Sequence, residues 1–533
     1  MIHLWHDPTR NLLVYKTPEP DRVGEYIPEA KKVNGSCVAV PATLRNCQIL
    51  RLMDYPIIPV MEAADYDWPI ERGKKPLAHQ KLMANFMVAH PRSFNLSDMG
   101  TMKTLATLWA ADFVMQQHKG DCRALIVAPL SILQRVWGDA IFANFLGRRT
   151  FEIVHGSAAA RSEALLRPAD FYIINFDGVG VGAHTRKRFE LDGISKALHD
   201  RADLQLAIVD EASAYRDSTT KRHRIARAVI GARNYLWLLT GTPTPNGPTD
   251  AFGLAKLVNN AKGESFSSFH NRTMMRLSQF KWVPRQGANE EARKLLQPAI
   301  RFDIRDVWDG PPMTTQQREV ALTDEQKQHM ARLKRDLQII VKSGHPISAA
   351  NEAAARQKFI QISLGAVYDQ DHVAHTIDAG PRLAELERII DEAPGKLLVF
   401  APLTSVVKHI NLIIRNKHKC EVVNGETAPR DRAGIFERFQ SAQSDLRLLI
   451  ADPGTMAHGL NLWMAQTVVW YGPCDRTELY LQANKRAHRP GQQHPVTVVQ
   501  LVSNKLEREI FRRLEANENL QGALLQMVRE GKI

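Results

Sequence analysis

Cysteine is scarce in this chain. Five occur in 533 residues, Cys37, Cys47, Cys122, Cys420 and Cys474, with no C-x-x-C pair. That pattern excludes a disulfide framework and a cysteine-built zinc site, and it fits a reducing compartment. Long hydrophobic runs are also missing. No apolar stretch approaches the ~18–20 residues that a membrane-spanning helix needs, so a transmembrane protein is not expected. The opening segment Met1-Ile2-His3-Leu4-Trp5-His6-Asp7 has no basic stretch followed by an apolar core. No secretory signal is therefore read there, and the expected location is the cytoplasm. Internal repeats and low-complexity tracts are absent as well. Hydrophobic residues make up 44% and charged residues 24%, which excludes a disordered, collagen-like or coiled-coil chain. At roughly 100–200 residues per domain the length suits about three domains. Lys and Arg number 70 against 57 Asp and Glu, a formal net charge of +13. A basic surplus spread along the chain permits a polyanion partner without naming one.

What is present is an alternation of short apolar runs and helical stretches. Candidate strands are 124–128, 171–174, 204–209 and 235–239, then 397–400, 421–423, 446–450, 467–470 and 497–502. Continuous apolar runs of this length suit strands buried on both faces, as in a parallel sheet. The two clusters predict two α/β lobes. Between them, residues 256–375 are rich in Lys, Arg, Gln and Ala, with helices expected over 324–341 and 349–363. The expected organisation is an accessory region over 1–72, a first lobe over 73–255, a helical insertion over 256–375, a second lobe over 376–515 and a tail over 516–533. Residues 1–72 are short and mixed, with a possible strand at 37–40. They suit either a small DNA-binding module or a brace for the first lobe.

Four motifs carry chemistry. The first is Ser97-Asp98-Met99-Gly100-Thr101-Met102-Lys103-Thr104, which opens a helix whose apolar face is broken by Asp112. A loop of this kind turns backbone N–H groups of Gly100, Thr101 and Met102 toward a phosphate, and the helix N-terminus favours negative charge. Lys103 then reaches the β- and γ-phosphates and the Thr104 hydroxyl ligates magnesium. The loop departs from the usual pattern at Ser97, in the first glycine position, and at Met102, where glycine normally precedes the lysine. The second motif is Asp210-Glu211 after Leu206-Ala207-Ile208-Val209. Two carboxylates at the end of an apolar strand lie at the carboxyl edge of a sheet, where α/β proteins bind ligands. Asp210 is the expected magnesium ligand and Glu211 the group that orients water. The third is Thr240-Gly241-Thr242-Pro243, whose hydroxyls suit coupling of hydrolysis to movement. The fourth contains Arg486-Ala487-His488-Arg489. Its two arginines, three apart on an expected helix, suit the charge of a phosphoryl-transfer transition state.

In this order the motifs resemble the Swi/Snf-like branch of helicase superfamily two. Pro76-Leu77-Ala78-His79-Gln80 resembles the family's entry motif, which implies that Gln80 reads adenine. Ala128-Pro129-Leu130-Ser131-Ile132-Leu133 with Trp137 resembles its "PLS…W" motif and implies that Ser131 donates to DNA phosphate. Asn175-Phe176-Asp177, Asn424-Gly425-Glu426-Thr427 with Arg430 and Arg432, and Gly454–Asn461 with Gly459 in the nucleotide site resemble further motifs of the family. The resemblance covers about residues 73–513. It implies two tandem RecA-like lobes with ATP and Mg2+ between them, helical protrusions, and translocation on double-stranded DNA, branched or protein-bound DNA included. The compact length resembles short members encoded by phages and bacteria. Ser213 stands where the family often has His or Asp.

Basic clusters at Arg186-Lys187-Arg188, at Lys221, Arg222 and Arg224, and at Lys281 and Arg285 are candidates for phosphate contact, which carries no base information. The leading expectation is a DNA-dependent ATPase that translocates on duplex DNA. Two alternatives stand beside it: a strand-separating helicase on DNA or RNA, and a nucleic-acid-binding scaffold in which Met102 has cost the loop its hydrolysis.

Overall fold

The computed structural model describes all residues except 1, 8, 58, 119, 184–188, 279–280, 343–348, 370, 372, 457–461, 517–526 and 528–533; the side chains of 278, 281, 338–342, 349–350 and 429–430 are likewise not described. The chain divides into two compact units, Met1–Met275 with Pro284–Val307 and Arg276–Val283 with Trp308–Ile533. Among the described residues no helix is long and apolar enough to cross a membrane.

The first unit is built on seven parallel strands. Their spatial order is Ala299–Ile300, Arg92–Asn95, Tyr235–Leu239, Leu206–Asp210, Ala124–Ala128, Phe171–Asn175 and Phe151–Val154. The central strands are apolar because helices cover both faces: Ala124 to Ala128 are all fully buried. Register sets the functional edge. Leu239 pairs with both Asp210 and Asn95, so three strand ends from distant parts of the chain finish in one row.

Residues 1–72 contribute a four-stranded antiparallel sheet in the order His3–Asp7, Leu12–Lys16, Cys37–Pro41, Lys31–Asn34. Only the strand at Cys37 was expected from sequence. The others are short, and Lys31–Asn34 is exposed throughout, so they carry no apolar run to read. Leu13, Tyr15, Val38 and Trp68 share one core with Trp109, Phe113 and Ile126 of the first lobe. The segment thus braces that lobe.

Asp112, the interruption in the apolar helix face, is wholly buried at the centre of this brace. It accepts hydrogen bonds from the Tyr66 hydroxyl at 2.6 Å and from Arg149 Nε at 2.7 Å, and it pairs with Arg148. Removing one partner of a buried ion pair costs about 3–5 kcal/mol, because the remaining charge is left without compensation. Asp112→Ala is therefore expected to lower the first melting transition by about 6–20 °C, at 2–4 °C per kcal/mol for a lobe of this size. A calorimetric shift below 2 °C would contradict this role.

The second unit holds six parallel strands in the order Met313–Glu319, Val496–Val502, Ala465–Trp470, Lys396–Phe400, Leu448–Ala451, Cys420–Val423. The expected strands are all present. The edge strand Met313-Thr-Thr-Gln-Gln-Arg-Glu319 was not foreseen, because it is polar and mostly exposed, with one neighbour in the sheet. Helices Asp324–Lys342 and Ala349–Leu364 lie close to their expected bounds. A fully buried pair, Arg382 with Glu507 at 2.7 and 2.9 Å, ties helix Gly380–Glu392 to helix Lys505–Glu515. The two parallel sheets with flanking helices are the tandem RecA-like lobes that the motif order implied.

Candidate nucleotide site and arginine pair

The phosphate loop leaves the strand Arg92–Asn95 and ends at Lys103, the first residue of the helix Lys103–Gln117. Gly100 adopts φ +86° and Met102 φ +58°. Met102 thus takes the left-handed backbone that the usual glycine supplies at this position, at a cost of about 1–2 kcal/mol. Its side chain is 39% exposed. The loop is held from beneath. Asp98 N–H donates to Phe302 O at 2.9 Å, and Phe302 N–H donates to the Ser97 hydroxyl at 3.1 Å. Ser97 is completely buried, so the residue at the first glycine position is a structural clamp. Lys103 Nζ donates to Ser97 O at 2.7 Å. The ammonium is folded into its own loop, beside the helix N-terminus that attracts an anion.

The entry motif packs against the same loop. His79 Nε2 lies 3.1 Å from Thr101 O. Gln80 is buried; its amide oxygen accepts from Leu77 N–H at 3.1 Å and its amide nitrogen donates to Met102 O at 3.3 Å. The structure places Gln80 as a link between its helix and the phosphate loop. Burial holds the His79 pKa below the ordinary histidine range, which suits a neutral ring at this backbone contact.

Asp210 ends its strand in the same row as Asn95. Glu211 follows in a left-handed conformation, φ +54°. A side chain of this size rarely adopts that region, and such strain concentrates at functional sites. Both Asp210 oxygens are engaged: Oδ1 accepts from Glu211 N–H at 3.0 Å and Oδ2 from the Trp137 indole N–H at 3.0 Å. From the sequence alone Trp137 is one residue of the "PLS…W" string, with nothing to link it to Asp210. Thr240 is buried, its N–H donates to Asn95 O at 3.1 Å, and its hydroxyl accepts from Thr242 N–H at 3.1 Å. A methyl group on Gly241 would lie 3.4 Å from Met99 N, so this turn abuts the phosphate loop. Lys103, Gln80, Asp210, Glu211, Thr240 and Thr242 are thereby gathered at one sheet edge.

The donor set suits a magnesium ion. Thr104 and Asp210 offer a hydroxyl and a carboxylate, hard oxygen ligands, and Mg2+ usually takes one or two protein carboxylates together with waters and phosphate. Among the described residues no group of three or more His, Cys, Asp or Glu is placed to hold a metal.

The arginine pair belongs to the second unit. Arg486 lies in the last turn of the helix Thr477–Ala487 and is 6% exposed. Arg489 lies beyond the helix end, ahead of Pro490, so the two do not share a helical face as their spacing suggested. A residue before proline is driven out of the helical region. Burial, with the Arg486 charge adding to it, presses the Arg489 pKa down to about 10. The rest of the string serves the fold. Gln492 Nε2 donates to Ala487 O at 3.2 Å and to Ala465 O at 2.9 Å, closing the helix end.

Of the basic candidates, Lys221, Arg222 and Arg224 occupy exposed positions in the first turn of the helix Lys221–Val229. Arg222 pairs with Asp177 at 2.6 Å. Arg285 donates through Nε to Asn271 O and Met274 O. Ser131 is exposed on the turn Leu130–Ile132. Arg186, Lys187, Arg188 and Gly459 lie outside the described residues, as does the Lys281 side chain.

Residues 79–362 match the SNF2-related domain and residues 381–491 the helicase conserved C-terminal domain. The chain is 25% identical over 485 residues to protein p41 of Acyrthosiphon pisum secondary endosymbiont phage 1, covering 85% of this chain and 98% of that one. It is 24% identical over 361 residues to the ISWI chromatin-remodeling complex ATPase CHR17 of Arabidopsis thaliana, covering 64% of this chain but only 33% of that protein. Among solved structures it is similar to the Sulfolobus solfataricus SWI2/SNF2 ATPase core in complex with dsDNA, with TM-score 0.39 and 19% identity, over 87% of this chain and 95% of that one. The first domain match alone spans more than half of the sequence, from the entry motif past the acidic pair, and the second encloses both arginines; this chain belongs to the SNF2-related family of helicase-like ATPase domains.

Proposed function

We propose that this protein is a DNA-dependent ATPase that translocates on double-stranded DNA and couples hydrolysis to remodelling of DNA or of protein–DNA complexes. The observation that carries this reading is the single row at the sheet edge, where the strand leading to the Lys103 loop and the strand ending at Asp210 finish level on either side of Leu239. Lys103 exchanges its bond to the Ser97 carbonyl for the phosphates of ATP, and the loop N–H groups together with the helix N-terminus hold the remaining charge. Thr104 and Asp210 would hold the magnesium ion, which when bound neutralises charge on the β- and γ-phosphates. Glu211 orients the attacking water. Arg486 and Arg489 stabilise charge developing on the transferred phosphoryl group. The Thr240–Thr242 turn, packed on the phosphate loop, senses the state of that loop.

Duplex DNA is the proposed track, through phosphate contacts from the exposed helix turn at Lys221, Arg222 and Arg224 and from Ser131. Relatives named as chromatin-remodeling ATPases support this choice. A surface that engages about six phosphates loses about 10³ in affinity between 50 and 200 mM salt. Duplex binding measured across that range is expected to fall with this slope; a flat response would rule out a phosphate-tracking motor.

The deciding experiment compares ATP hydrolysis with single-stranded DNA, duplex DNA, forked DNA and RNA side by side. Strongest stimulation by duplex without strand displacement supports the translocase reading. Displacement of a paired strand would favour the strand-separating helicase. The scaffold alternative rests on Met102, and the left-handed backbone that this partly exposed residue adopts supports a loop that still binds nucleotide.

A further inference from the structure

Four tryptophans, Trp109, Trp137, Trp237 and Trp470, are wholly buried. Three give their indole N–H to neutral acceptors: Trp109 to Pro69 O, Trp237 to His90 O and Trp470 to Asn484 Oδ1. Trp137 instead donates to a carboxylate oxygen, Asp210 Oδ2, 73 residues away in the chain. With the Glu211 N–H on Oδ1, this bond fixes the rotation of the Asp210 carboxylate about its side chain. A ligating carboxylate held in this way presents its remaining lone pairs in one direction.

The backbone that carries the indole is unusual. Leu133–Gly138 is a π-helical turn, and it follows directly on the short helix Leu130–Ile132. Such turns are rare and cluster at functional sites. Its two ends face different surroundings. Leu130 is 54% exposed and Ser131 is exposed, whereas Ile132 and Leu133 are buried at 3% and 2%. At the other end a methyl group on Gly138 would come within 3.0 Å of the Phe151 ring, so the turn packs tightly on the sheet there. One short segment therefore joins the exposed Ser131 to the indole that holds the carboxylate ending the strand Leu206–Asp210.

We infer that Trp137 is a positioning residue for Asp210, and that the π-turn transmits contact with DNA phosphate at Ser131 to the magnesium-binding carboxylate. This rests on the ATPase reading above. It adds a route by which the track reaches the nucleotide, and it assigns that route to one hydrogen bond. By linkage, if duplex DNA tightens the carboxylate's hold on the ion, the ion tightens the hold on DNA by the same factor.

The test uses the full chain and Trp137→Phe, which removes the N–H donor and keeps an aromatic ring in the core. Binding of a fluorescent ADP analogue is followed against MgCl2 concentration, with and without a 30-base-pair duplex. In the parent, duplex DNA is expected to lower the MgCl2 midpoint. In the variant the midpoint is expected to rise about 10-fold, within the 10–100-fold range for lost partners of metal ligands, and to become insensitive to DNA. Turnover at saturating ATP falls by a similar factor. In an Asp210→Asn background the same change is expected to have no further effect on ADP-analogue binding. A midpoint and turnover within twofold of the parent would overturn the inference, and so would an undiminished effect in the Asn background. If the Phe variant does not fold, hydrogen exchange of residues 130–138 in the unmodified protein decides: Mg2+ with ADP is expected to slow it, and no change overturns the proposal. A parent with neither turnover nor Mg2+-dependent nucleotide binding overturns the ATPase reading and this one together. A parent that turns over normally beside an unaffected Phe variant overturns this one alone.

Discussion

Lys103→Ala is expected to reduce ATP turnover by about 10²–10³-fold, the range seen when one donor to a developing charge is removed. Phosphate release at saturating duplex DNA is the measurement. The reason lies in what the ammonium does before and after nucleotide binds. In the structure it caps the carbonyl of Ser97 at 2.7 Å, a neutral partner inside its own loop. The lysine brings a full positive charge to the loop, beside backbone N–H groups and hydroxyls. Stability should change little, since the side chain is partly exposed and its capping bond is replaceable by water. Lys103→Arg is expected to fail as well, because a planar fork does not replace a compact ammonium in so tight a loop. Turnover within twofold of the parent would mean that the nucleotide is held elsewhere.

Arg489→Ala carries the second large effect, a loss of about 10³–10⁵ in turnover, the range for an arginine that stabilises the phosphoryl-transfer transition state. The observation beneath it is electrostatic. Burial and the Arg486 charge together lower the Arg489 pKa to about 10. The Arg486 charge thus acts on Arg489 at a place shielded from water. An anion that arrives there is attracted, and the more negative the transferring group, the stronger the attraction. The interaction is therefore worth more in the transition state than in the ground state. The variant should bind ADP or ATP within a few-fold of the parent while turnover collapses. Equal losses in nucleotide affinity and turnover would point instead to ground-state binding. Turnover that depends on this charge should also decline as pH rises through about 10, where Arg489 gives up its proton.

Met102 shows how a departure from pattern is judged. Sequence pattern asks for glycine there because the loop needs a left-handed residue. The structure supplies that conformation with methionine and leaves the side chain outside the loop, 39% exposed. Ser97 is the opposite case: its side chain is buried and bonded to the neighbouring strand extension, so the first glycine position has become a brace. Two departures that look alike in the sequence thus have different physical meanings.

The motifs were legible because they are local. A phosphate loop, an acidic pair and a hydroxyl turn each need particular residue types within a few positions, directly after a buried strand. The strands themselves were legible because parallel strands covered on both faces read as continuous apolar runs. Elements that lack such a run were not. The polar edge strand Met313–Glu319 has one neighbour in its sheet, and the small antiparallel sheet of residues 1–72 has strands too short and mixed to show a period. The arginine spacing implied a shared helical face that Pro490 denies.

Which motifs exist, and in what order, was thus already written in the amino acids. Their alignment was not. Asn95, Asp210 and Leu239 end in one row, and Trp137 reaches Asp210 across 73 residues, only after crossover helices have returned each strand to the same sheet. Strand order and register in a parallel sheet are settled by packing of both faces at once, a property of the folded whole that no single stretch of chain contains.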